Sequence, residues 1–219
     1  MRSPPVHSQP SAVPPSLRSG LAALAFALAA GGGAYFYADR EAADLIRHPY
    51  IQAAAQDGGT SRAVKLAMVM AAYYESSWQH KGAPYVDRNG RGQPLTVCNG
   101  LTGQGVEAGR RYTPANCYQL ERARYLRYEA WLRTQLPGWH SYTDMTRAVL
   151  LDFVHNKGEG NFLGSTMRRK LLAGDVLGAC RENVRWNRGT VDGVSVMLPG
   201  LVTRGNSNAE LCTFEDPQP

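Results

Sequence analysis

An uncharged stretch of nineteen residues, from Gly20 to Ala38, limits the folds open to this chain more than any other feature. Its length is about the minimum for a helix that crosses a hydrocarbon core of roughly 30 Å. Eight of its residues are alanine and four are glycine, so its apolar character is weak and each glycine lowers helix stability by about 1 kcal/mol. The preceding residues 1–16 are rich in proline and serine and predict a disordered tail.

Three fates of the segment 17–38 are compatible with its sequence. It could be a signal peptide cleaved at the small-x-small motif Ala27-Leu28-Ala29, a permanent membrane anchor, or a weak anchor that inserts uncut and later leaves the bilayer. All three give one topology, because Arg18 precedes the uncharged stretch and Asp39, Arg40 and Glu41 follow it. We therefore expect an exported protein that contacts the inner membrane through residues 20–38, with its amino terminus inside.

The cysteines agree with export. Their number is even and none forms a C-x-x-C pair, which is the spacing of many zinc and redox sites; they are Cys98, Cys117, Cys180 and Cys212. In an oxidising compartment this pattern predicts two disulfides. Three pairings are possible, and the spacing does not choose between them.

The rest of the chain predicts an α+β fold, with one helix, a small irregular sheet and then a bundle of helices. Thr60 and Ser61 can cap a first helix that ends near 75–78, and Thr113-Pro114 can open a long helix over 115–136. Short β-type runs at 83–86 and 95–97 lie between them. Further helices are predicted over 143–155, 165–173, 175–186 and 201–212, with a turn at 157–162.

Three residues could carry chemistry. Glu75 lies in AAYYESSW, where aromatic side chains would leave its carboxyl poorly solvated and favour the protonated form. Such a group can donate a proton near neutral pH. Asp87 follows in a glycine-rich hairpin and Thr96 on the next strand. Taken singly, a glutamate at a helix end and an aspartate in a turn also have ordinary structural explanations.

Taken together, these residues resemble the Glu…Asp…Thr triad of the phage-type (T4-like) lysozymes, or endolysins. Further segments similar to that family are PYVDRNGRGQPLTVCNGLTG, YTPANCYQLERARY, LLDFVHNKGEGNFLGSTMRRKLLAGDVLGAC and GLVTRGNSNAELC. The match covers about residues 61–213. It implies a lysozyme domain over 61–219, with a small lobe at 61–113 and a helical lobe at 114–213, joined to the amino-terminal segment by a connector at 39–60.

The resemblance also implies the roles of the residues. Glu75 would be the general acid on the glycosidic oxygen, and Asp87 and Thr96 would position the attacking water. Asn156 would line the substrate cleft. Apart from the resemblance, Arg168 belongs to a basic cluster that has two explanations, a solvated helix surface or attraction to an anionic cell wall. The implied disulfides are Cys98–Cys117 and Cys180–Cys212.

The implied activity is muramidase action on peptidoglycan for host lysis, by a monomer acting in the periplasm. No histidine pair has metal-ligand spacing and no nucleic-acid recognition motif accompanies the basic residues, so we expect no metal, no cofactor and no nucleic-acid partner. The resemblance favours the third fate of the anchor, that of a signal-anchor-release endolysin. Release would then let residues 39–59 rearrange and complete the region around Glu75.

Two alternatives follow from departures from the family pattern. Eleven residues separate Glu75 from Asp87 and eight separate Asp87 from Thr96, three more in each case than is usual in the family. Glu75-Ser76 also resembles the Glu-Ser motif of lytic transglycosylases, which cleave the same polymer with one glutamate and no water. The second alternative is a cell-wall-binding protein that keeps the fold without catalysis.

Overall fold

The computed structural model describes residues 11–28, 40–87, 92–103, 105–191 and 193–214. Within these ranges the helices are α1 (Pro15–Leu28), α2 (Arg40–Ile46), α3 (Pro49–Gln56), α4 (Arg62–Ser76), α5 (Pro114–Gln135), α6 (Asp144–Lys157), α7 (Glu159–Gly164), α8 (Thr166–Leu172), α9 (Val176–Arg181) and α10 (Pro199–Leu211). The strands are β1 (Tyr85–Val86), β2 (Leu95–Val97), β3 (Leu101–Thr102), β4 (Arg188–Val191) and β5 (Val194–Met197), and 3-10 turns lie at Trp139–Ser141 and Glu182–Arg185. The predicted α+β class is confirmed.

Helix α4 is the centre of the core. Its side chains are buried at every position from 63 to 72, and it packs against α1, α5 and α6. Ser61 caps the helix as predicted, because its side chain accepts a hydrogen bond from the Val64 N–H at 3.3 Å. A helix buried on all sides is held rigidly by its neighbours, and so is whatever it carries at its end.

The end of α4 is fixed just after Glu75. Ser77 and Trp78 adopt the left-handed conformation, with φ of 49° and 67°, which stops the helix at Ser76. Their N–H groups donate to the carbonyls of Tyr73 and Ala72. The carboxylate of Glu75 therefore projects from the last turn of an ordered helix.

The sheet that follows α4 is antiparallel, in the order β1-β2-β3. In its register Tyr85 faces Thr96, and Thr96 faces Thr102. Strand β3 was not expected, because two residues are too short a run to show an alternating pattern. The Cys98–Cys117 disulfide ties the sheet to α5, and the Cys180–Cys212 disulfide ties α9 to the end of α10. Both pairings are those that the resemblance implies.

The long helix α5 begins as its sequence predicts. Thr113 and Asn116 form a reciprocal capping box, and Pro114 occupies the first turn. The region after α6 differs from prediction, because a turn was expected at 157–162 and residues Glu159–Gly164 form the short helix α7. The hairpin of β4 and β5 was also missed; its residues are mostly exposed, so no buried face marks it in the sequence.

Helix α1 packs against α2, α3 and α4. Leu17, Ala23 and Leu24 are fully buried, and Gly20 lies directly against the indole of Trp78. The Trp78 Nε1–H also donates to Ser16 Oγ at 2.9 Å. The amino-terminal segment thus contributes to the core.

Residues 11–16 differ from the predicted disordered tail. The Ser11 hydroxyl and the Ala12 N–H donate to the Glu210 carboxylate at 2.5 and 2.6 Å. The rest of that tail, residues 1–10, and the anchor residues 29–38 lie outside the described residues. Among the helices that the structure describes, none combines the length and the hydropathy needed to cross a bilayer.

Candidate active site

Glu75 lies at the junction of the small lobe and the helical lobe, with a side chain that is 27% exposed. Its Oε1 is 2.6 Å from Arg204 Nη1 on α10 and 4.0 Å from His155 Nε2 on α6. On the sheet side it meets Gly100, where an added Cβ would lie 3.6 Å from Glu75 Oε2. A partly exposed carboxylate that is held by one cation is suited to contact with a substrate.

The aromatic surroundings expected for Glu75 are not formed by its neighbours in sequence, because successive helical residues point about 100° apart. Trp78 turns toward α1. The ring of Tyr74 lies under the Arg204 guanidinium at 4.7 Å, and its hydroxyl donates to Asn208 Oδ1 at 3.0 Å. The group nearest to the carboxylate is therefore a cation.

Asp87 and Thr96 lie on the sheet that borders Glu75. The Asp87 N–H donates to the Pro94 carbonyl at 3.0 Å, which continues the β1–β2 ladder. Burial raises the pKa of Tyr85, and the negative charges of Asp87 and Glu75 raise it further. Both carboxylates therefore act on one tyrosine of β1. Thr96 is 2% exposed, and its hydroxyl donates to the Pro94 carbonyl at 3.2 Å.

Arg204 is held by a second acid, Asp152 of α6, which is 0% exposed. Arg204 Nε donates to Asp152 Oδ2 at 3.0 Å and Nη2 to Oδ1 at 2.7 Å, while Nη1 remains for Glu75. Burial opposes the charge of Arg204, but the attraction of Asp152 and Glu75 outweighs it and raises the pKa of Arg204 above its ordinary value. Asn208 Nδ2 also donates to Asp152 Oδ2, at 2.7 Å.

Sequence reasoning missed both Arg204 and Asp152. Arg204 lies in GLVTRGNSNAELC, which drew attention only as a segment similar to the family. The available signal was a charged residue within each of two otherwise core-forming helices, since such residues are seldom buried without a partner.

His155 of α6 is a buried neighbour of Glu75. Burial lowers its pKa to about 4, and the charge of Arg204 contributes to the same shift. The ring is therefore neutral at neutral pH, and it packs against Tyr125 with centroids 5.1 Å apart. Within the described residues, neither His155 Nδ1 nor the Tyr125 hydroxyl has a hydrogen-bond partner, although both are buried.

The two residues expected to contact the substrate, Asn156 and Arg168, lie in different places. Asn156 lines a small pocket together with Arg204 and Trp186, and its Oδ1 is buried without a described partner. Arg168 lies on α8, which packs against α7 and α9, and no described hydrogen bond or ion pair joins it to Glu75. Asn156 thus lies beside Arg204, the partner of Glu75, whereas Arg168 has no such contact among the described residues.

A further buried acid, Glu121 of α5, links the small lobe to α3. It accepts hydrogen bonds from the Asn99 N–H at 3.0 Å, from Asn99 Nδ2 at 3.1 Å and from the Tyr50 hydroxyl. Burial raises the pKa of Glu121 to about 7 although these hydrogen bonds oppose the shift. Within the described ranges, no group of three His, Cys, Asp or Glu side chains could hold a metal ion.

Comparison with known proteins gives both sequence and fold relatives. The family model described as "Phage lysozyme" matches residues 79–208, a range that begins just after Glu75. The SAR-endolysin of Enterobacteria phage PA-2 is 33% identical over 166 residues, which are 74% of this chain and 93% of that protein.

Two solved structures share the fold. The active form of the P1 phage endolysin Lyz has a TM-score of 0.59 at 18% identity, over 74% of this chain and 90% of that one. The muramidase domain of SpmX from Asticaccaulis excentricus also has a TM-score of 0.59 at 18% identity, over 71% of this chain and 97% of that domain.

The structural likenesses establish a lysozyme-like fold, and the sequence matches establish descent. The family pattern spans more than half of the chain, and the PA-2 protein aligns over nearly three quarters of it. The expected enzyme class, a glycoside hydrolase of the lysozyme type, is confirmed, and the chain belongs to the phage lysozyme family, with SAR-endolysins among its relatives.

Proposed function

We propose that this protein is an endolysin muramidase, which hydrolyses the β-1,4 bond between N-acetylmuramic acid and N-acetylglucosamine in peptidoglycan during host lysis. Glu75 is the general acid that protonates the glycosidic oxygen. Asp87 and Thr96 position the water that attacks the sugar carbon. The protein acts as a monomer, without a cofactor, and does not bind nucleic acid.

The observation that carries this proposal is a partly exposed glutamate at the end of α4, which Arg204 holds beside the β1-β2-β3 sheet. Glycoside hydrolysis needs two carboxyl groups that flank the bond, one to donate a proton and one to act on water. The charges of Glu75 and Asp87 both reach Tyr85, which supports this arrangement. Thr96 lies on the neighbouring strand, on the face it shares with Tyr85 by register.

Substitution of the acid tests the proposal. Glu75→Gln keeps the size of the side chain but cannot donate a proton, so we expect release of reducing sugar from purified peptidoglycan to fall by at least about 10²-fold. Glu107→Gln is the matched control, because Glu107 is an exposed acid that forms an ion pair with Arg110 and, among the described residues, has no ion pair with Arg204 or Glu75. Retained activity of Glu75→Gln would refute the assignment.

The roles of Asp87 and Thr96 are tested separately. Asp87→Ala and Thr96→Ala should each reduce hydrolysis strongly if these residues position the water. If both variants stay active while Glu75→Gln is inactive, and the products are anhydro-sugars, the lytic transglycosylase is the correct reading. Binding of peptidoglycan without turnover by the wild-type protein would identify the non-catalytic wall-binding protein.

We also propose that residues 20–38 act as a releasable anchor, which first holds the exported protein in the inner membrane and then enters the soluble fold in the periplasm. The packing of α1 supports this, because Ala23 and Leu24 cannot lie in a bilayer while they are buried against α4. The following helices α2 and α3 reach the active-site helix, since His48 Nε2 is 3.0 Å from the Trp78 carbonyl. Docking of α1 and ordering of residues 40–56 thus act on the segment next to Glu75.

Mass spectrometry of the exported protein tests the anchor. A periplasmic species that retains residues 1–38 supports release without cleavage, and its appearance on membrane depolarisation would support a releasable anchor over a permanent one. An amino terminus near residue 30 would instead show signal-peptide cleavage. Full activity of the membrane-bound form would contradict the idea that release completes the site.

A further inference from the structure

We propose that Asp152 is a positioning residue of this glycosidase site, which fixes the guanidinium of Arg204 through two hydrogen bonds and balances its charge, so that Glu75 can be held in place and still carry a proton. The proposal rests on the proposed role of Glu75 as the acid. Asp152 acts through Arg204 and not by contact with the substrate.

The geometry of Arg204 provides the first argument. Its guanidinium is shared between two carboxylates, with Nε and Nη2 on Asp152 and Nη1 on Glu75. A two-point contact leaves the planar guanidinium a single orientation, in which the third nitrogen points at Glu75 Oε1. Without Asp152, only the single 2.6 Å contact with Glu75 and the stacking on Tyr74 would orient it.

The charge of the site provides the second argument. An arginine beside a carboxylate favours the ionised form of that carboxylate, whereas a general acid must hold its proton until the glycosidic bond breaks. Asp152 is fully buried and lies against the same guanidinium, so its negative charge offsets the positive charge that Glu75 experiences. The three groups together carry one net negative charge when Glu75 is ionised and none when it is protonated.

Among the described residues, the other charged or titratable groups near this cluster come from each neighbouring element. They are Tyr74 on α4, Lys81 after α4, whose ammonium donates to the Glu75 carbonyl at 2.9 Å, Arg124 and Tyr125 on α5, His155 and Lys157 on α6, and Tyr85 and Asp87 at β1. His155 is neutral near pH 7, because burial and Arg204 lower its pKa to about 4. Asp152 contacts the guanidinium from the buried side, because its own side chain is fully buried.

The pH profile of Asp152→Asn tests the proposal. Asparagine keeps the shape of the side chain but removes its charge, so Arg204 acts on Glu75 uncompensated. We expect the alkaline limb of the rate of peptidoglycan hydrolysis, which reports loss of the acid's proton, to move down by about one pH unit. At a pH on the alkaline limb, the rate of Asp152→Asn should be about tenfold below that of the wild-type protein. At a pH below that limb, the two rates should differ much less. Asp152→Glu keeps the charge and should restore much of the limb.

Glu182→Gln is the matched control. Glu182 is a buried acid that pairs with Lys170 at 2.7 Å, with no contact to Arg204 or Glu75 among the described residues. Its loss should lower the melting temperature without moving the alkaline limb. A limb of Asp152→Asn that coincides with that of the wild-type protein would overturn the proposal, provided that Glu75→Gln is inactive. An active Glu75→Gln would instead overturn the proposed function itself.

A measurement on the wild-type protein keeps the proposal testable if Asp152→Asn does not fold. The Arg204 Nε–H is buried and donates to Asp152, so its NMR signal should exchange with water far more slowly than that of the exposed Arg185. Exchange of Arg204 Nε–H as fast as that of Arg185 would show that the two-point contact does not persist, and would overturn the proposal.

Discussion

The packing of α1 on the body of the enzyme can be tested by one truncation, Leu24→Ala. Leu24 is 0% exposed in the same core cluster as α4. Replacement of a fully buried leucine by alanine costs about 3 to 5 kcal/mol, from lost apolar burial and from the cavity that remains. A domain of this size is stable by about 5–15 kcal/mol in total, so the loss is a large share of it.

Urea unfolding of the soluble full-length protein measures this loss. With a slope of about 2 to 3 kcal/mol/M, the midpoint should fall by about 1 M or more. Leu21→Ala is the matched control, since Leu21 lies on the same helix but is only partly buried, and we expect a clearly smaller loss. Equal, small losses in both variants would show that α1 does not pack on the body.

Two more predictions concern stability. Because burial raises the pKa of Glu121 to about 7 from an ordinary value of 4.5, the unfolded chain ionises there while the folded protein still holds the proton. The stabilisation is complete below about pH 4.5 and is lost as the pH rises through 7, by about 3 kcal/mol, whereas Glu121→Gln lacks this dependence. Urea unfolding at several pH values measures the difference, and parallel curves for the two proteins would contradict it. Paired Cys→Ser replacements should cost about 3 kcal/mol for Cys98–Cys117 and about 4 kcal/mol for Cys180–Cys212, since the bonds close loops of 19 and 32 residues; thermal or urea unfolding that matches the wild-type protein would refute this.

The parts of the fold that the sequence predicts are those with local signals. Ser61 caps α4 and the Thr113-Pro114 pair starts α5, because capping depends on residues three or four positions apart. The position of Glu75 at the end of α4 follows from the same local pattern. The hairpin of β4 and β5 lacks such a signal, since its side chains are mostly exposed on both faces.

The contacts that join Glu75, Arg204 and Asp152 could not be predicted from the sequence. Arg204 is 129 residues from Glu75 and 52 from Asp152, and the contacts form only when α4, α6 and α10 pack together. Helix α1 is ambiguous for another reason. A bilayer and a protein core both favour apolar side chains, so the sequence of residues 20–28 suits either environment.

In the proposed reaction, Glu75 protonates the glycosidic oxygen while a water molecule attacks the sugar carbon. Digestion of peptidoglycan in H₂¹⁸O, followed by mass spectrometry of the released fragments, tests it most directly. We predict that the wild-type protein releases fragments with one ¹⁸O at the new reducing-end N-acetylmuramic acid, and that Glu75→Gln releases none. Anhydro-sugar ends without ¹⁸O, or labelled fragments from Glu75→Gln, would contradict the account.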